Sequence, residues 1–154
     1  MRRRLKQAVV GFVVVLATAQ LVRPGRANPA TDASRTLQAQ VGAGSELAAV
    51  LDRAFRDCHS NATVWPWYTQ IAPLSWLMAY GVTTGRKAVN FSEWAAYSPE
   101  LQRTLLAASC RDVTTGKMPG EYTLLHPETR LSAQDVDTIC AAARRAEAGA
   151  AYGH

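Results

Sequence analysis

The first strong pattern is a basic start followed by an apolar run. Arg2, Arg3, Arg4 and Lys6 precede a stretch from Ala8 to Val22 interrupted only by Thr18 and Gln20. Pro24, Gly25, Arg26 and Ala27 then supply a turn and a small residue. This is the layout of an export signal, and about 15 apolar residues is short for a membrane span. Cleavage near Ala27 is the expectation, with retention of residues 1–27 as a single N-terminal anchor as the alternative. Residues 28–44 are rich in Ala, Thr, Gln, Ser and Gly without an apolar face, and read as a linker.

Beyond residue 44 the periodicity is helical. Ser45 reads as an N-cap, and Leu47, Val50, Leu51, Ala54 and Cys58 fall on one face of the helix that follows. Pro66 and Pro73 divide the next segment, where Ser75 to Tyr80 allows a short helix and Gly81 to Asn90 reads as a polar connection. Phe91 to Trp94 starts another helix or turn. Pro99 to Val113 carries Leu101, Leu105, Ala108 and Val113 at helical spacing, with Pro99 in the first turn. Thr114 to Gly120 is a loop, and Tyr122 to Leu131 is irregular. Ser132 and Asp135 form a variant capping box for a last helix with Val136, Ile139, Cys140 and Ala143 on its apolar face. The domain runs over residues 45–146, and residues 147–154 read as a flexible tail. No segment alternates as a half-buried strand does, so the fold class is all-α.

Charge changes the picture once the N-terminal segment is set aside. The whole chain is formally +5, but residues 1–27 hold six Arg or Lys and no acid. The remainder has 11 basic and 12 acidic side chains. Near neutrality with no basic patch excludes nucleic acid as a partner. A membrane partner requires retention of residues 1–27.

Candidate chemistry centres on Cys58-His59, the second half of the C-x-x-C-H haem attachment signature, read with Lys117-Met118-Pro119 about 60 residues later. In that signature cysteine sulfur bonds to a haem vinyl group and the histidine ligates iron. A Met in a Met-Pro loop supplies a soft thioether on the other side and raises the potential. The position of the first cysteine is Phe55. Each residue also has an ordinary reading. Cys58 could be a buried thiol in an aromatic core, and Met118 a core filler. His126, before Pro127, is either a rival sixth ligand or a hydrogen-bonded surface histidine; His154 is discounted. Trp65, Trp67 and Trp76 belong to an aromatic-rich stretch of the kind that covers the faces of a haem. Arg86 and Lys87 either pair with haem propionates or are solvated loop charges. The sequons at Asn61 and Asn90 are too short to weigh.

Three cysteines in an exported chain is an odd number. One arrangement puts Cys58 in a thioether and pairs Cys110 with Cys140 in a disulfide, which suits an oxidising compartment. The other leaves two unpaired buried thiols.

Taken together, Asp57-Cys58-His59-Ser60-Asn61, Trp65-Pro66-Trp67-Tyr68, Ile71-Ala72-Pro73-Leu74-Ser75-Trp76, Gly85-Arg86-Lys87, Asn90-Phe91-Ser92-Glu93-Trp94, Gly116-Lys117-Met118-Pro119, Tyr122 and His126-Pro127 resemble the small bacterial haem-binding domains related to cytochrome c. The resemblance covers roughly residues 47–143. It implies a small helical domain around a covalently held haem, exported to the bacterial periplasm. Cys58 would be the covalent attachment point, His59 the proximal ligand and Met118 the distal one. Phe55 would leave a single thioether, with its ring against the porphyrin edge. The expected function is single-electron transfer with a redox protein partner, without enzyme activity of its own. A haem-based sensing or binding module, or a haem-free structural domain, are the competing readings.

Overall fold

In a computed structural model, which describes residues 1–149, helices and turns account for the ordered elements and no strand forms among those residues. His154 and the end of the expected tail lie outside the described residues. Seven α-helices follow one another: α1 (Arg2–Ala19), α2 (Leu37–Val41), α3 (Glu46–Ala54), α4 (Arg56–His59), α5 (Leu74–Ala88), α6 (Pro99–Thr114) and α7 (Ala133–Glu147). Short 3-10 turns lie between α1 and α2, α4 and α5, α5 and α6, and twice between α6 and α7.

Local chemistry explains where the long helices begin. Ser45 Oγ accepts the Ala48 N–H at the start of α3, and Ser98 Oγ accepts the Leu101 N–H ahead of Pro99 in α6. At α7 Ser132 and Asp135 close a reciprocal capping box. Each cap satisfies a donor that the first turn would leave orphaned, an effect of about 1 kcal/mol.

The core gathers one face from each of these helices. Leu47, Val50 and Leu51 of α3, Leu106 of α6 and Ile139 of α7 pack around Trp94, which is 1 % exposed. Leu37 of α2 is fully buried in the same cluster. Residues 28–44, expected as a linker, therefore contribute to the core. Helices α6 and α7 pack together, and Cys110 is disulfide-bonded to Cys140 across that contact.

Two elements depart from the sequence pattern. The helix expected to run from Ser45 through Cys58 breaks at Phe55, whose φ of −132° ends α3 before α4 begins. The expected polar connection from Gly81 is instead the second half of α5.

Residues 20–30 also lie against the domain. The Gln20 side chain pairs with the backbone of Ala72, accepting its N–H at 2.9 Å and donating to its carbonyl at 3.3 Å. Trp76 Nε1 donates to the Val22 carbonyl at 2.8 Å, and Asn28 Nδ2 donates to the Thr63 carbonyl at 2.9 Å. By contrast, α1 itself buries no residue. Among the described residues no helix is long and apolar enough to cross a membrane.

Candidate functional site

The site begins with a close approach of two helices. A Cβ on Gly85 of α5 would stand 2.3 Å from the Cys58 carbonyl oxygen, closer than any side chain tolerates. Glycine at this position lets α5 lie directly against the backbone of α4. One turn earlier on the same face, Gly81 leaves room above the Cys58 sulfur, 4.0 Å from where its Cβ would be. Together they place Cys58 and His59 on the wall of a cavity of about 370 Å³ between α4, α5 and the Met118 loop.

His59 is buried and its orientation is fixed. Its Nδ1 lies 3.2 Å from the Val89 carbonyl. A carbonyl only accepts, so the proton sits on Nδ1 and the Nε2 lone pair is left over. Phe91 stacks on the ring at a centroid distance of 5.7 Å, and Phe55 meets its edge at 6.3 Å. Burial keeps the imidazole neutral by lowering its pKa, against the opposing pull of the Val89 and Gly85 carbonyls. A buried, neutral, oriented imidazole with a backbone partner on its far nitrogen is the form in which histidine binds metals.

A buried latch holds this segment in place. Asn90 Nδ2 donates to Asn61 Oδ1 at 2.8 Å, Ser92 Oγ accepts the Asn61 N–H, and Asn90 Oδ1 accepts the Ser92 N–H. Both sequon asparagines are thus interior residues that tie the chain after His59 to the chain after α5.

The Cys58 thiol is partly buried and forms no disulfide. Burial, reinforced by the Asp57 charge and opposed by Arg86, pushes its pKa up to about 11, so it is a neutral thiol at physiological pH. Met118 reaches the same cavity from its loop, beside Pro119. The rest of the wall is mainly apolar, including Leu74, Leu77, Met78 and Leu125, with Glu121 as the charged residue. Met118, Pro119 and Glu121 also border a second, more open hollow of about 670 Å³ on the other side of their loop.

Three tyrosines that the sequence did not assign to the site line the cavity: Tyr68, Tyr80 and Tyr122. Tyr122 donates to Asp57 Oδ2 at 2.9 Å, and its phenol is raised by burial and then by that carboxylate. Its ring stacks on His126 at 4.2 Å. The Tyr68 hydroxyl, also raised chiefly by burial, meets His126 Nε2, and His126 Nδ1 lies 2.9 Å from Glu128 Oε1. Both nitrogens of His126 are therefore engaged, and the residue is outside the cavity lining.

Other sequence candidates also sit elsewhere. Phe55 is in the hydrophobic core. Trp65 and Trp76 hydrogen-bond to Asn28 and Val22, Trp67 is largely exposed, and none of the three lines the cavity. Arg86, half-buried, is held by neighbours in the chain. Its guanidinium donates to the Ser60 and Ala27 carbonyls, to Asn28 Oδ1 and to Thr63 Oγ1, at 2.7–2.9 Å. The glycines at 81 and 85, spaced by one helical turn, were the readable sign of a close helix contact.

An apolar cleft with an imidazole lone pair, a thioether and a thiol on its wall has the donor set and polarity for an iron porphyrin. The sequence model described as Haem-binding domain matches residues 14–145. No curated protein and no solved structure matches the chain.

Proposed function

Because the chain belongs to the haem-binding domain family, we propose that this protein is an exported, c-type cytochrome-like electron carrier. Bound haem would supply one-electron chemistry, cycling iron between Fe(III) and Fe(II). His59 is the proximal ligand through Nε2, Met118 the distal ligand, and Cys58 the attachment point through one thioether. The observation that carries this reading is that His59, its Nδ1 held by the Val89 carbonyl, lines one cavity with Cys58 and Met118. Phe55, turned into the core, fits attachment through a single sulfur. A small cavity with mainly apolar walls suits a carrier that exchanges electrons with a redox protein rather than converting a substrate. The basic, apolar N-terminus and the Cys110–Cys140 pairing support work in the periplasm.

The test is intact-mass analysis together with the visible spectrum, on protein made in cells competent for haem attachment. One covalent haem and sharp reduced α and β bands are expected. Met118→Ala should abolish the weak long-wavelength band of the oxidised protein and lower its potential. A colourless protein with the mass of its amino acids refutes haem binding. An unchanged spectrum in Met118→Ala refutes the distal assignment and moves the protein to the sensing class.

A further inference from the structure

We propose that residues 1–27 stay on the mature protein and that α1 seats it on an anionic membrane surface. The segment following α1 is built into the domain rather than trailing from it. Gln20 completes the backbone pairing of Ala72, and Val22 accepts from Trp76. The Ala27 carbonyl and Asn28 side chain fill two corners of the Arg86 guanidinium. Cleavage near Ala27 would strip these partners from Ala72, Trp76 and Arg86, leaving donors without the acceptors they are aimed at. The family match begins at residue 14, inside α1. A segment that is discarded has no reason to be held in this way.

The chemistry of α1 selects the occupant of its uncovered surface. Val9, Val10, Phe12, Val13 and Val15 are all more than half exposed. Arg2, Arg3, Arg4 and Lys6 crowd its first turns, and residues 1–27 contain no acid. A bilayer with anionic headgroups complements both features. From Ala8 to Ala19 the apolar helix extends about 18 Å, well short of a hydrocarbon core of about 30 Å. Gln20 is already pinned to the domain. Helix α1 therefore lies in the headgroup boundary with its apolar surface immersed. None of these contacts involves the cavity, so protein without haem binds lipid in the same way.

Two measurements on the full chain decide the matter. Protein recovered from an exporting cell should have the intact mass of an unprocessed N-terminus; a mass starting within residues 20–30 overturns the proposal. In flotation, the chain should rise with vesicles of phosphatidylcholine containing one quarter phosphatidylglycerol. Replacing Arg2, Arg3, Arg4 and Lys6 by Gln, on a helix with no core contact, should weaken that binding roughly 1000-fold at low salt. Equal binding by both proteins overturns the electrostatic assignment. Failure to float, with a two-copy mass in light scattering, overturns it in favour of a second chain as the occupant.

Discussion

Gly85→Ala and Gly81→Ala form a matched pair whose effects should have opposite signs. Both residues lie in α5, where replacing glycine by alanine in a helix interior is worth about 0.5–1 kcal/mol in favour of folding. At Gly81 nothing opposes that gain, since the new Cβ would touch Cys58 Sγ at an ordinary 4.0 Å. At Gly85 it would lie 2.3 Å from the Cys58 carbonyl oxygen, 2.9 Å from its carbon and 3.1 Å from its Cβ. The first two are backbone atoms and cannot swing away. Restoring van der Waals contact moves α5 off α4 by about 1 Å, a small-to-large insertion costing typically 1–3 kcal/mol and more against backbone. The net expectation is a loss of about 2 kcal/mol for Gly85→Ala and a gain of up to about 1 kcal/mol for Gly81→Ala. Urea unfolding at fixed pH reads both differences, with unchanged slope. In a thermal scan the loss corresponds to roughly 4–8 °C. In haem-loaded Gly85→Ala the His59 imidazole should also be displaced from iron more readily, because α5 carries Gly85 and precedes Val89, whose carbonyls hold His59. If Gly85→Ala is as stable as the parent, or moves with Gly81→Ala, the helix contact does not set the cavity wall.

Three further outcomes are expected. Arg86→Lys keeps the charge but cannot reach four acceptors. It should cost about 2–3 kcal/mol in urea and speed tryptic cleavage after Arg26; unchanged stability and digestion would show that the clamp does not hold residues 20–30. Burial would raise the Asp135 carboxyl, but its hydrogen bonds with Ser132 and its contact with Arg53 outweigh this and lower the pKa. Its contribution is therefore complete above the ordinary carboxylate range and lost as pH falls below about 4; Asp135→Asn should flatten that acid limb and cost about 1 kcal/mol at pH 7, read from urea midpoints across pH. Reducing Cys110–Cys140 should remove roughly 3–4 kcal/mol, and an unchanged melting temperature at full thiol titre would contradict the pairing.

What could be read from the chain alone was whatever its neighbours in sequence determine. Ser45, Pro99 and the Ser132–Asp135 box mark helix starts because capping is a contact within one turn. The donor trio of Cys58, His59 and Met118 was visible because haem chemistry uses few residue types, and the structure brings them to one cavity. What escaped depends on distant partners. The apolar spacing through Cys58 suggested one helix, but α3 stops at Phe55 as the chain turns to meet α5. Glycines 81 and 85 lowered helix propensity enough to suggest a loop, although their purpose is contact with another helix. Aromatic density in residues 65–94 indicated a large apolar surface without telling which rings line the cavity; Tyr68 and Tyr80 do, while Trp65, Trp67 and Trp76 do not and Trp94 is buried in the core. Arg86 was assigned by its charge, yet four acceptors spread over residues 27–63 determine its place.

The two sides of the cavity have unequal backing. Behind His59 stand Phe91, Phe55 and the Asn61–Asn90 latch, all interior and interlocked. Met118 is only partly buried against the core and also borders an open hollow. Force applied by a guest of imperfect size is thus resisted at the imidazole and relieved at the thioether. One jaw of the vice is anchored in masonry and the other in a thin partition, so under the proposed ligation an exchange of iron ligand would begin at the sulfur.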